Sequence, residues 1–293
     1  MRFTLLALLL LALPALAQRP ETDAKGGAYA DRLKDEIRAR KMYEKTARAA
    51  IPARFRQALE THQPGDGDLA ATWGEFLTAA GTPFAALQLA LPAGVSAETL
   101  TLFGIAGDAS YFEDVAVGQS HGDAFVERSI LLPPGKTRGT FGLARKNEIL
   151  GMARIELEPP SDVSRLILSS DVHLLPAAQD PLDPFAFGGT KVVPKPRAAF
   201  RRGDEVWVFL EMRSDAAPDI TTKLDIEGPS SRVTGVPTPA AATPLKGVAG
   251  HYGVGNTIDI TGLKPGDYRV KVTVTDNVAK TSITREAVLR LSD

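Results

Sequence analysis

Residues 118–122 read GQSHG. Gly-x-Ser-x-Gly is the spacing of a nucleophile elbow, where a sharp turn between a strand and a helix presents a serine and a histidine takes its proton. Ser120 would then be the nucleophile, and His121 stands beside it. Other chemistry has less to build on. The four histidines, His62, His121, His173 and His251, do not pair at metal-ligand spacing, and no His-Glu-x-x-His occurs. Without cysteine there is no thiolate for zinc or an iron–sulfur cluster, and no disulfide. GDGD at 65–68 lacks the spaced carboxylates and closing glutamate of a calcium loop. Gly188-Gly189 and GHYGVG at 250–255 lack the strand–helix context of a phosphate site. The sequence therefore implies no metal and no cofactor.

An elbow needs a helix after its second glycine. YFEDVAV (111–117) precedes GQSHG and DAFVERSILL (123–132) follows it, and both alternate as strands do. The text predicts a loop between two antiparallel strands, with Ser120 and His121 exposed and open to a partner. No catalytic residue is assigned. A serine hydrolase using Ser120 remains the alternative that activity on esters, abolished by Ser120→Ala, would establish.

The elements around this loop are mainly β. Arg2, the apolar run from Leu5 to Leu13 and Ala15-Leu16-Ala17 have the layout of a cleavable export signal over 1–17, with an apolar run too short to span a bilayer. Residues 18–68 form a polar N-terminal region. Its stretch 28–60 has helical spacing at Leu33, Ile37 and Ala47, and Pro52 should end or kink that helix before 53–61 resume it. From residue 84 short alternating runs follow one another: 84–91, 99–105, 111–117, 124–132, 138–145, 149–158, 163–168, 190–193, 204–212, 220–226, 256–260, 267–275 and 281–291. Gly, Pro, Asp and Asn separate them. That rhythm predicts two tandem immunoglobulin-like or fibronectin-III-like β-sandwiches over 69–161 and 162–293, after the short helical region and joined near PPSDV (159–163). A weak repeat supports the pairing. LLPPGKTRGTFGLAR (131–145) and GLKPGDYRVKVTVTD (262–276) superpose on their Pro-Gly, which aligns Phe141 with Val272 and Leu143 with Val274.

Three further groups invite a reading. Tyr268 follows Pro265-Gly266 and opens an alternating valine strand, the place of a tyrosine corner whose hydroxyl bonds to upstream backbone. Trp207 and Phe209 share one face of EVWVFLEM, to be covered by a neighbouring segment or domain, or left as a platform for a sugar or partner. Lys191, Lys195, Arg197, Arg201 and Arg202 form a basic cluster, which reads as a solvated loop partly offset by Asp204 and Glu205, or as a site for an anionic partner.

The formal net charge of −1 gives no electrostatic case for nucleic acid. Residues 170–212 together with LKPGDYRVKVTVTD (263–276) are similar to the β-rich C-terminal regions of secreted bacterial proteins of the acidobacterial GWxTD or von Willebrand-related type. The shared features are a DPFxFGG-like stretch, an FRRGD turn into an apolar strand and a closing PGDY strand; the GWxTD motif is absent. The resemblance implies an exported β-sandwich protein and carries over no catalytic residue. The expectation is a periplasmic or extracellular, non-catalytic interaction or scaffold module. Its partner would be another envelope or extracellular protein, met through loops or unpaired strand edges. It would touch membrane only through an uncleaved signal. A carbohydrate-binding module is a further alternative.

Overall fold

A computed structural model describes residues 34–293 apart from 35–36, 39, 42, 64, 66, 79–80, 176–181, 188, 215–216, 230–231 and 246–249. The export signal expected at 1–17 and Leu33 lie outside the described residues.

Helical residues up to Thr46 and then a helix, α1 (Ala53–Thr61), precede the strands. Eight strands build the first sandwich: β1 (Ala71–Leu77), β2 (Pro83–Ala90), β3 (Thr99–Ala106), β4 (Ala109–Ala116), β5 (Gly118–Ser120), β6 (Asp123–Leu131), β7 (Thr137–Arg145) and β8 (Glu148–Leu157). They form two antiparallel sheets, ordered β4-β3-β7-β8 and β1-β2-β6-β5. The second sandwich contains β9 (Ile167–Leu174), β10 (Ala186–Phe187), β11 (Thr190–Pro194), β12 (Ala199–Arg201), β13 (Val206–Arg213) and β14 (Ile220–Glu227). It continues with β15 (Arg232–Thr234), β16 (Thr238–Ala240), β17 (Thr243–Pro244), β18 (His251–Ile258), β19 (Gly266–Asp276) and β20 (Thr281–Ser292). Its sheets run β10-β11-β9-β13-β18-β17 and β12-β20-β19-β14-β15, with β16 also on β14. The chain is thus mainly β, two sandwiches preceded by a short helical region, as its alternation predicts.

The layers are legible in how β2 and β3 bury their side chains. In PFAALQLA, Ala85, Leu87 and Leu89 enter the first core, while Phe84 and Ala86 join a different cluster with Ile167, Phe187, Val192 and partly buried Phe209 of the second sandwich. In TLTLFGIA, Leu100 and Leu102 face the same first core, while Phe103 and Ile105 meet Phe55 and Leu59 of α1. A strand apolar at both parities is covered on both faces. The order through the molecule is helix, sheet, sheet, sheet, sheet. The second core, with Val206, Val208, Leu210, Val270, Val272, Val274 and Leu289, lies between the last two.

The N-terminal region is a strap: helix resumes over 53–61 as expected, but the break before it comes earlier than Pro52. Ile37 is exposed. The helical text stops at Thr46, and residues 47–49 pair with the edge of β4 through Ser110 N donating to Ala47 O (2.8 Å) and Ala49 N to Ser110 O (3.0 Å). Pro52 caps the start of the resumed helix α1, where its missing N–H costs nothing. α1 crosses the outer face of β3 and β7, and residues 67–69 then pair with the far edge at β8, where Leu69 N donates to Met152 O (2.7 Å).

Other differences concern edges. β1 carries Gly74 and Glu75 among its apolar residues, so its alternation is weak and no strand is expected there. β9 starts at Ile167 rather than 163, since Pro159 and Pro160 hold the join extended, and Val163 makes only an isolated bridge to Met212. β18 spans His251–Ile258 instead of 256–260, its glycines having read as a turn.

Candidate functional site

Ser120 ends β5, opposite Asp123 at the start of β6. Between them His121 (φ 49°) and Gly122 (φ 83°) both take left-handed conformations, which is a two-residue primed hairpin turn. Strand follows, not helix. The turn therefore lies one residue later than the motif suggests, and Ser120 is buried rather than exposed, which corrects the expectation of an accessible loop serine. His121 is exposed.

Folding nonetheless gathers a serine, an aspartate and a histidine. Ser120 Oγ donates across the sandwich boundary to Asp171 Oδ2 (3.5 Å), and Asp171 Oδ1 lies 3.4 Å from His173 Nδ1. The order is Ser–Asp–His, with the carboxylate in the middle. A nucleophilic serine needs a ring nitrogen as its proton acceptor, with the carboxylate behind that ring. Here the serine hydroxyl is spent on the carboxylate itself, so the cluster ties two sandwiches together.

The basic cluster contributes to the same boundary. Lys191 Nζ lies 2.7 Å from Glu127 Oε2 of β6 and 3.0 Å from Asp183 Oδ1, and it also donates to Pro184 O. Gln88 of β2 donates to Glu127 Oε1 (3.3 Å) and Pro194 O (2.9 Å). Lys195, buried, sits 3.3 Å from Asp123 and 3.7 Å from Asp204. Arg197 donates to Leu91 O (2.5 Å). Lys191 and Lys195 are therefore buried interface groups, not a solvated loop, and carboxylates already answer their charges, while Arg197 reaches the boundary from an exposed position. Arg197, Arg201 and Arg202 stay exposed. Asp183 and Asp204 are near in the chain, but sequence alone could not reveal the partners across the boundary, because Glu127 and Asp123 belong to a strand of the other sandwich. Burial pushes the Glu127 carboxyl above its usual range, and Lys191 opposes that rise.

A second polar group closes the open side of the first sandwich. Arg128 Nε donates to Glu113 Oε1 (2.8 Å) and lies 4.3 Å over the ring of Tyr43 from the strap. Burial raises both Glu113 and the nearby Tyr111 hydroxyl, with Arg128 working against the rise in each.

Trp207 is half-buried, and Phe209 beside it stacks on Phe187 at 4.4 Å. The second sandwich's sheet continues past the boundary at this point. Trp207, Phe209, Leu245 and Pro244, over Gly253 and Gly255, line a groove of about 80 Å³. Tyr268 takes the corner position: its buried hydroxyl donates to Lys264 O at 2.7 Å. The remaining histidines have carboxylate neighbours, His62 Nε2 at 3.1 Å from Asp68 and His251 Nδ1 against Glu211. Among the described residues no three His, Cys, Asp or Glu side chains converge as metal ligands, and no helix is long and apolar enough to cross a membrane.

No protein-family model matches the chain, and no curated protein does either. Among solved structures, the chicken CNTN1 FN1-FN3 domains are 11% identical over 78% of this chain, with a TM-score of 0.20; the chain spans 66% of that structure's length. The C-terminal domain of the Streptococcus agalactiae AgI/II polypeptide BspA is 10% identical over 75% of this chain and 99% of its own, with a TM-score of 0.19.

Proposed function

We propose that this chain is an exported, non-catalytic β-sandwich protein that serves as an interaction or scaffold module in the cell envelope or outside the cell. One observation carries the reading: the two sandwiches are fused face to face through an apolar and ionic boundary, which makes a rigid frame. The groups that could have done chemistry, Ser120, Asp171 and Lys191, are used to build that frame. Rigid frames with exposed turns are the usual carriers of binding loops. The layout of residues 1–17 supports export. The test has two arms. The protein without residues 1–17, immobilised and exposed to envelope extract, should retain a saturable partner. Generic p-nitrophenyl esters should not be hydrolysed above background. Hydrolysis that disappears in Ser120→Ala would overturn the proposal.

The groove at Trp207 favours a second reading, a module that stacks a sugar ring on the indole. Binding on a glycan array that Trp207→Ala removes would establish it, and a blank array retires it.

A further inference from the structure

The sheet edges of this molecule are unequally guarded. Strap residues 47–49 cover the edge of β4, and 67–69 cover β8. β15 and β16 together cover β14. β10 and β17 are only two residues long, and β5 three. β1 lies against the end of β8, where Trp73 Nε1 donates to Glu156 O (3.2 Å), and Arg165 Nε donates to Glu75 Oε2 (2.8 Å).

β20 is different. Its twelve residues pair with β19 on one side through eleven positions without a bulge. On the other side β12 meets only residues 290–292. Among the described residues, 281–289 is the longest strand edge with no backbone partner. Proline, lysine and bulges are the common guards of such an edge, and TSITREAVL has none. Its one inward charge, Arg285, is already tied down: Nε donates to Ser164 O (3.0 Å), and the terminal nitrogen to Val163 O and Ser161 Oγ (2.6 and 2.7 Å). β12 shows that this edge accepts a strand.

We propose that β20 is a homodimerisation edge, which pairs antiparallel with β20 of a second copy about a two-fold axis at Ile283. The sequence selects the occupant and the register. Centring on Ile283 brings Lys280, in the turn just before β20, toward Glu286 of the other copy twice, by symmetry, and sets Ser282 opposite Thr284 on the exposed face. Ile283 then meets Ile283 on the inward face. Centring on Arg285 or Glu286 would set like charges face to face, and centring on Thr284 loses both charge pairs. Glu286 now holds only an exposed contact with Arg269 at 3.3 Å, so it is free to turn to a partner. A single strand pair is a small interface, so the dimer is weak and concentration-dependent.

Sedimentation velocity on the full chain, from micromolar to near-millimolar protein, tests this. The unaltered protein should shift from monomer to dimer as concentration rises. Lys280→Glu alone and Glu286→Lys alone should each weaken the dimer about tenfold or more, by replacing two attractive pairs with two repulsive ones. An equimolar mixture of the two variants should dimerise again, since both pairs are then complementary; a purely structural defect would not be repaired by mixing. Unchanged melting of each variant confirms folding. A protein monomeric at every concentration, a dimer that neither reversal weakens, or a mixture that stays monomeric overturns the proposal.

Discussion

Lys191 Nζ lies 2.7 Å from Glu127 Oε2, and the two side chains belong to different sandwiches. Both are nearly withdrawn from water, at 11% and 12% exposure. Desolvating two charges consumes much of what their attraction returns, so the pair holds the boundary in one register more than it adds stability. Around it, apolar packing of Phe76, Phe84, Phe187 and Phe209 supplies the adhesion.

Removing one partner should therefore hurt more than removing both. Lys191→Met leaves Glu127 charged and buried with only Gln88 as donor, and should cost about 3–5 kcal/mol. The double variant Glu127→Gln/Lys191→Met should cost less than half of that. Denaturant unfolding of the singles and the double closes the cycle, and a double loss equal to the sum of the singles would contradict the coupling.

The tyrosine corner makes a second expectation. Tyr268→Phe removes the bond to Lys264 O and should cost about 1 kcal/mol. Gly228 lies flat against the same ring: a Cβ there would stand 2.3 Å from Tyr268 Cε1. Gly228→Ala should thus be worse, by about 1–3 kcal/mol of overpacking, and Tyr268→Leu in its background should recover part of it. Thermal melting of the three proteins decides the order.

How far the text reveals the molecule depends on the range of the interaction. Tyr268 is predictable because its partner lies four residues upstream, and the strand rhythm because alternation is local. GQSHG is also legible as a hairpin, since the strand-like text on both sides excludes an elbow. What the sequence hides is contact between remote segments. Ser120 reads as an exposed loop residue because nothing near it announces Asp171 of the other sandwich. Lys191 and Lys195 read as solvated for the same reason. Ala85 and Ala86 point into different cores, and only the stacking of the sandwiches explains why both faces of β2 are buried.

The hairpin itself should behave as structure. Gly122 at φ 83° has no strain, whereas Gly122→Ala must hold a left-handed backbone and should lose about 1 kcal/mol. Ser120→Ala gives up one long bond at 3.5 Å and should lose less than that. Both are read from denaturant midpoints. A larger loss in Ser120→Ala than in Gly122→Ala would show that the Ser120–Asp171 bond matters more to the boundary than its length suggests.

The strap should be integral. Phe55 is fully buried, with its ring 4.8 Å from Phe103 and 5.5 Å from Phe112. Phe55→Ala should cost about 3–5 kcal/mol through the cavity it leaves. Because the strap pairs with both β4 and β8, hydrogen exchange should rise at Ser110 and Met152, where it pairs, and not in β13 or β19. Protection unchanged at both edges would mean that the strap is held without α1.

Acid should act in two opposed ways. Burial raises Glu113 and Glu127, so the cost of ionising them in the folded state is relieved as pH falls toward their folded values. Their contribution is complete below the ordinary glutamate range and is lost as pH rises. Asp225 and Asp259 go the other way. The Lys223 ammonium bonded to Asp225, and the Thr261 hydroxyl and N–H bonded to Asp259, hold these carboxyls below their usual range. Their stabilisation is present above the ordinary aspartate value and disappears as pH falls through the lowered one. The denaturant midpoint should stay level or rise from about pH 7 to about pH 5, then fall below about pH 4. Asp259→Asn keeps a carbonyl acceptor for Thr261 but cannot titrate, so its curve should fall less steeply in the acid limb. A midpoint that declines steadily from neutral pH would show that the buried glutamates are not raised as their surroundings require.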